Sequence, residues 1–343
     1  MSPDAVHQRI VIVTDAWQPQ TNGVVRTLNT TRTMLMSQGH DVHVIEPNQF
    51  RSFPCPTYPE IRLSWRPAKR IAGQLHRLQP HAVHIATEGP LGMAARRWCI
   101  QQRWPYTTSY HTQFPEYVRA RFPLPLSWSY AWLRRFHGRA ARTMVATPSM
   151  QSQLESYGFR NIARWSRGVD VQLFRPRNES VLKYKRPLFA YVGRVAVEKN
   201  IEDFLRLPLP GTKVVIGDGP EREALQARYP DVVFAGYKFG EELAAHVASC
   251  DVMVFPSRTD TFGLVLIEAM ACGVPVAAYP VTGPVDVVKQ GITGVLSDDL
   301  HAAAVAALKM DRNACREHAL NYTWERATQQ FFSNLAPIHA GHA

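Results

Sequence analysis

Phe255-Pro256-Ser257-Arg258-Thr259-Asp260-Thr261-Phe262-Gly263-Leu264-Val265-Leu266-Ile267-Glu268-Ala269-Met270-Ala271-Cys272-Gly273-Val274-Pro275-Val276 decides how this chain folds. The apolar run Asp251-Val252-Met253-Val254-Phe255 reads as a strand that stops at Pro256. A polar turn follows, and a helix is expected from near Phe262 to a stop at Gly273. The start of such a helix leaves backbone N–H groups of Phe262, Gly263 and Leu264 unpaired beside a partial positive charge, which makes it a place for an anion. Asp260 and Glu268 then stand one before the helix and one about two turns inside it. Glu268 lies in an otherwise apolar run, where a charge needs a partner, and a ribose diol would supply one. On chemistry alone an alternative stays open: Asp260 as a simple N-cap and Glu268 as an exposed helix residue.

The same grammar recurs on both sides. In the second half, Leu188-Phe189-Ala190-Tyr191-Val192-Gly193, Lys213-Val214-Val215-Ile216-Gly217 and Val232-Val233-Phe234-Ala235-Gly236 are strands that end in glycine. In the first half, Arg9-Ile10-Val11-Ile12-Val13-Thr14, Asp41-Val42-His43-Val44-Ile45 and Ala82-Val83-His84-Ile85-Ala86 alternate with helical stretches, the first of them from about Val24 to Gln38. Strands separated by helices predict right-handed crossovers and parallel sheets, an α/β chain. In open sheets of this kind ligands sit beyond the carboxyl ends of the strands, so the loops there are the candidates for chemistry.

Three further loops qualify. Gly193-Arg194-Val195-Ala196-Val197-Glu198-Lys199 sets two cations five residues apart directly after a strand, where they can close on one diphosphate or remain solvated loop charges. Gly217-Asp218-Gly219-Pro220-Glu221 has the small residues that let backbone approach a ligand. In the first half, Asp15-Ala16-Trp17-Gln18-Pro19-Gln20-Thr21-Asn22-Gly23-Val24 leads into the first helix with Gly23 at its start, and Thr108-Ser109-Tyr110-His111-Thr112-Gln113-Phe114-Pro115-Glu116-Tyr117 places His111 among aromatics at a strand end.

With 343 residues the chain is long enough for about two domains, each with its own core. The linker is expected near residues 168–186. The net charge of +11 arises entirely in residues 1–170, which carry 21 basic and 9 acidic side chains while the remainder is close to neutral, and in that half every cation except Lys69 is arginine. An anionic partner therefore belongs to that half, since arginine makes forked contacts with phosphate. Cys55, Cys99, Cys250, Cys272 and Cys315 form no CxxC pair or metal-ligand spacing, so most are expected in the core of a protein kept in a reducing compartment. No run approaches the roughly 18 apolar residues of a membrane span. A cytoplasmic protein, peripheral on the cytosolic face of a membrane, is the expectation.

Taken in order, Asn22-Gly23-Val24, Gly193-Arg194 with Lys199, Gly217-Asp218-Gly219-Pro220-Glu221, and Asp260 with Glu268 closed by Ala269-Met270-Ala271-Cys272-Gly273-Val274-Pro275-Val276 resemble the retaining nucleotide-sugar glycosyltransferases of sequence family 4, with the GT-B fold. The resemblance covers nearly the whole chain. It implies two facing Rossmann-like domains with a central cleft: an acceptor and membrane-facing domain over 1–170, a donor domain over 171–320, and a C-terminal helix over 321–338 packing back on the first. It further implies that Arg194 and Lys199 neutralise the donor diphosphate, that Glu268 binds the ribose, and that Phe262, Gly263 and Leu264 hold sugar and phosphate oxygens. The Gly193 and Gly217 loops would line the donor, the Gly23 loop would close over the diphosphate, and His111 would contact the transferring sugar. The first carboxylate of the motif is usually glutamate in the family; here it is Asp260, one methylene shorter. The chain has no Asp-x-Asp, in keeping with a site that needs no metal and no cofactor beyond the nucleotide sugar, in which Arg194 and Lys199 carry the positive charge.

Two subgroups are similar: transferases that glycosylate diacylglycerol in bacterial membranes, related to sulfoquinovosyl and glucuronosyl transferases, and GDP-mannose-dependent mannosyltransferases. From Arg119 to Arg142 arginines alternate with Phe122, Leu124, Leu126, Trp128, Tyr130, Trp132, Leu133 and Phe136, which suits an anionic lipid surface as well as a helix packed on its sheet. The expected activity is transfer of a hexose or hexuronic acid from a UDP-sugar to a lipid such as diacylglycerol, with GDP-mannose as the alternative donor. A nucleic-acid binder would also fit a pI near 9.6, but no binding motif is present.

Overall fold

The computed structural model describes residues 7–338 apart from 21, 56–57, 114, 117–118 and 120–124. Thr21, Phe114, Tyr117, Phe122 and Leu124, all part of stretches quoted above, lie outside the described residues.

The first sheet is built from β1 (Arg9–Val13) and β2 (Asp41–Ile45), then, beyond a separate antiparallel hairpin β3 (Ser52–Cys55) and β4 (Tyr58–Ser64), from β5 (Ala82–Ile85), β6 (Thr107–Ser109), β7 (Arg142–Val145) and β8 (Ile162–Arg164). Its order is β2-β1-β5-β6-β7-β8, every neighbouring pair parallel. The second sheet contains β9 (Leu188–Val192), β10 (Thr212–Ile216), β11 (Val233–Gly236), β12 (Val252–Phe255), β13 (Val276–Ala278) and β14 (Gly294–Leu296) in the order β11-β10-β9-β12-β13-β14, again parallel throughout. The expected α/β class with two Rossmann-like sheets is what the chain forms.

The continuous apolar runs that marked the strands follow from burial on both faces. Along β9, Leu188, Ala190 and Val192 enter one core while Phe189 and Tyr191 enter the other; along β12, Met253 and Phe255 part from Val252 and Val254 in the same way. Each such Val, Leu or Phe contributes about 1.5–3 kcal/mol by leaving water. In the first sheet Val11 and Val13 face one core and Ile10 and Ile12 the other. That second core is completed by Phe331, on the helix Trp324–Asn334 near the end of the chain, against Trp165 and Leu28. The chain thus crosses from the first sheet to the second and returns, and the two crossings touch where Val169 N donates to the Tyr322 carbonyl at 3.0 Å.

The strand order reverses beside β9 and β12, which pair directly, so the crevice at their carboxyl ends lies between Gly193-Arg194 and Pro256–Asp260. The loops singled out by sequence are the ones the topology brings to this point.

Candidate functional site

The helix after β12 runs from Leu264 to Ala271, two residues later than the expected start near Phe262, because Gly263 takes a left-handed conformation (φ 82°) and forms its N-cap. A side chain at Gly263 would meet Leu266 as well as a strained backbone. Asp260 is therefore not the N-cap. Its carboxylate turns to Lys199, whose Nζ lies 2.8 Å from Oδ1 and 3.0 Å from Oδ2. Lys199 closes a short 3-10 turn, Val197–Lys199, after β9, and the turn is tied to the acidic loop by Thr259 Oγ1 donating to the Glu198 carbonyl at 3.3 Å. Arg194 stands in the same loop, its carbonyl accepting from Tyr191 Oη at 2.6 Å. So one cation of the expected pair is engaged by the first carboxylate of the motif.

Glu268 is buried, which excludes the exposed-residue alternative. Its partner in the structure is Arg26, from the first turns of the helix Gly23–Ser37 in the other half: Arg26 Nη1 donates to Glu268 Oε1. Glu268 Oε2 is buried and has no partner among the described residues. Burial pushes the carboxyl above its ordinary range, against the pull of the Arg26 charge. Gly23, at the start of that helix, sits opposite Leu264: a β-carbon there would lie 3.4 Å from Leu264 Cδ1. The amino ends of the two helices thus face each other across the cleft.

His111 follows β6 by two residues. Its carbonyl accepts from Thr261 Oγ1 at 2.8 Å, and Gln113 Nε2 donates to the Asp260 carbonyl at 3.4 Å, so the histidine segment of the first half abuts the acidic loop of the second. Arg167 Nη2 donates to His111 Nδ1 at 3.1 Å, which assigns the ring proton to Nε2. That Nε2 is buried and has no partner among the described residues. Burial first, then the Arg167 charge, holds the His111 imidazole well below its ordinary value, so it stays neutral. Arg167 is itself buried, lies over Trp165 with its guanidinium carbon 4.5 Å from the ring centroid, and is held down to about 9 chiefly by loss of water.

A β-carbon on Gly217 (φ 151°) would stand 1.9 Å from the Gly193 carbonyl oxygen, so this glycine permits two neighbouring loops to pack backbone to backbone. Asp218 turns away to Arg222 at 2.7 Å. In the first half Asp15 accepts from the amino end of the helix Pro90–Gln101 (Leu91 N 2.9 Å, Gly92 N 3.3 Å) and from Thr87 Oγ1 at 2.8 Å; burial pushes its carboxyl up to about 6.

Contacts between the halves bring the His111 segment to Asp260 and Lys199, and Gly23 and Arg26 to Leu264 and Glu268; Gly193 and Arg194 belong to the loop that carries Lys199, and Phe262 is buried in the second-half core beside Gly263. Sequence reasoning missed Arg26 and Arg167. Arg26 carried a weak signal, three residues after Gly23 on the same helix face; Arg167 carried none.

Residues 21–173 match a family model described as Glycosyltransferase Family 4, and residues 186–311 one described as Glycosyl transferases group 1. A GDP-mannose-dependent alpha-mannosyltransferase of Corynebacterium glutamicum is 30% identical over 97% of this chain and 89% of its own length. The sulfoquinovosyl transferase SQD2 of Arabidopsis thaliana is 32% identical over 81% of this chain and 61% of its own length. In fold, the sucrose-phosphate synthase of Thermosynechococcus elongatus superposes with a TM-score of 0.74 at 20% identity over 95% of this chain and 98% of that structure.

Proposed function

This chain belongs to glycosyltransferase family 4 and has the GT-B fold, and on that premise we propose that it is a retaining, metal-independent transferase that moves a hexose from a nucleoside-diphosphate sugar to a lipid acceptor at a membrane surface. The observation that carries the reading is the 2.8 Å contact from Thr261 Oγ1 to the His111 carbonyl, which joins the histidine of one half to the Asp260–Lys199 pair of the other.

In this reading the donor lies in the crevice between β9 and β12, with its diphosphate against Arg194, Lys199 and the N–H groups that open the Leu264–Ala271 helix. The bond from the anomeric carbon to the diphosphate oxygen breaks, and charge grows on both fragments. The fixed cations and helix dipole lower the energy of the departing phosphate without having to reorganise. The acceptor hydroxyl forms the new bond on the same face, and its proton passes to the leaving phosphate oxygen, so atoms and charge balance with no protein nucleophile. Asp260 and the Nε2–H of His111 orient the sugar hydroxyls, and Glu268 takes the ribose.

GDP-mannose is the donor that the C. glutamicum relative's name supports, over nearly the full length of both chains. A UDP-hexose or UDP-hexuronate is the second reading, favoured by the motif resemblance to diacylglycerol glycosyltransferases and by the likeness to SQD2. The lipid acceptor is supported by the helix Leu126–His137, where Tyr130, Leu133 and Phe136 pack inward and leave Trp128 (70% exposed) and Trp132 (43% exposed) as an outward stripe with Arg135 nearby. Among the described residues no helix is long and apolar enough to cross a membrane. Transfer assays with separate donors and lipid vesicles test the reading.

A further inference from the structure

Glu268 is 2% exposed inside an apolar helix, and a carboxylate in such a place is costly unless paired. The cation facing it comes from the other half of the molecule: Arg26 reaches across the cleft to Oε1. The Arg26 guanidinium is also seated over Phe174, 5.6 Å from the ring centroid, at the crossing between the two halves. Glu268 Oε2, by contrast, is buried and has no partner among the described residues. An ionised carboxylate accepts at both oxygens, so one is committed to Arg26 and the other remains for a donor hydroxyl.

We propose that Arg26 is a positioning residue for donor binding, a counter-ion supplied by the acceptor half that keeps Glu268 ionised and leaves Oε2 for a hydroxyl of the nucleotide ribose. This rests on the reading that Glu268 takes the ribose. Its consequence is that nucleotide affinity, a property of the second half in the simple picture, depends on the first half being closed against it. Without Arg26 the buried carboxyl has lost the charge that opposes its desolvation, which shifts it further toward the protonated form, a weaker acceptor.

The test is calorimetric titration of the full chain with UDP and with GDP, in wild type, Arg26→Met, Arg26→Lys, Glu268→Gln and the Arg26→Met/Glu268→Gln double variant, each first shown to melt cooperatively. Arg26→Met should weaken binding of the preferred nucleotide on the order of tenfold, the size expected for losing a charged hydrogen bond. Arg26→Lys should restore most of that loss, and the double variant should bind no more weakly than Glu268→Gln alone, because the two act as one unit. In turnover, Arg26→Met should raise the donor KM more than it lowers kcat. Wild-type or tighter nucleotide binding in Arg26→Met, or additive losses in the double variant, overturns the proposal. If Glu268→Gln itself binds nucleotide like wild type, the ribose assignment falls; if Glu268→Gln is weak and Arg26→Met is not, only the role of Arg26 falls.

Discussion

Lys199 Nζ bridges both carboxylate oxygens of Asp260, at 2.8 and 3.0 Å, with each side chain about four-fifths withdrawn from water. The pair links the loop after β9 to the loop after β12 at the point where the strand order of the second sheet reverses. It also shows how the shorter acid is used: an aspartate reaches the lysine from the loop, ahead of the glycine-capped helix.

Removal of either member should therefore damage catalysis more than folding. Lys199→Ala and Asp260→Asn are each expected to lower kcat/KM by about 10²-fold or more, the range for deleting one preorganised charge from a reacting site. Steady-state kinetics beside a thermal melt checks this; wild-type rates in both variants would remove Lys199 and Asp260 from the chemistry.

The contact between Arg167 and His111 makes a different demand. Arg167 donates to Nδ1 and fixes the proton on Nε2, so it acts through the histidine. If His111 contacts the sugar as proposed, His111→Ala should lower kcat strongly while leaving UDP or GDP affinity within about twofold. Arg167→Met should follow the same pattern. Equal loss of nucleotide affinity in both variants would place His111 elsewhere in the site.

His84 gives the pH dependence of stability a definite sign. It is fully buried between Thr107 Oγ1 (2.9 Å) and Ser109 Oγ (2.8 Å), and burial, with a smaller push from Arg167, holds its imidazole down to about 3 from 6.5. The folded value lies below the unfolded one, so its contribution is whole above pH 6.5 and is lost as pH falls toward 3. His111 acts in the same direction. Melting temperature should fall between about pH 7 and about pH 4.5, and His84→Gln should flatten part of that fall, amounting to a few kcal/mol. Identical slopes in the two proteins would contradict the assignment.

Trp128 projects from the helix Leu126–His137, while Trp132 is partly exposed and stacks on Phe136. Trp128→Ser should keep its melting temperature and lose affinity for anionic vesicles. Raising salt to about 1 M, where the Debye length shrinks to about 3 Å, should weaken wild-type binding too. Binding to vesicles that neither change affects would turn the acceptor reading away from a membrane.

Much of the architecture was legible because it is local. The run from Val252 to Gly273 announces strand, turn and helix through apolar pattern and punctuation alone, whereas the choice between a buried and an exposed Glu268 is made only by the fold. The helix starts two residues after the expected Phe262 because the left-handed Gly263 forms its cap, a conformation the spacing does not announce. Why position 217 needs a glycine is not legible in the sequence, since the demand comes from the Gly193 backbone, a contact between neighbouring loops that no spacing reveals. The partner of Glu268 was out of reach for the same reason: Arg26 lies 242 residues away, and only the closing of one half on the other brings them together. Arg167 was invisible because a single arginine in a stretch without motif carries no signal until the fold buries it against Trp165 and His111.

The most direct measurement presents the purified full chain, in the presence of EDTA, with vesicles containing diacylglycerol and membrane-extract lipids, and with GDP-mannose, UDP-glucose, UDP-glucuronate or UDP-galactose in separate reactions. Product is identified by mass and its anomeric configuration by proton NMR. One donor, GDP-mannose first among them, should give a glycolipid one sugar heavier than its acceptor, with the anomeric configuration of the donor retained and the nucleoside diphosphate released in equal amount. Transfer only after a divalent metal is restored, or a product of inverted configuration, would contradict the assignment of Arg194, Lys199 and the leaving phosphate to the reaction.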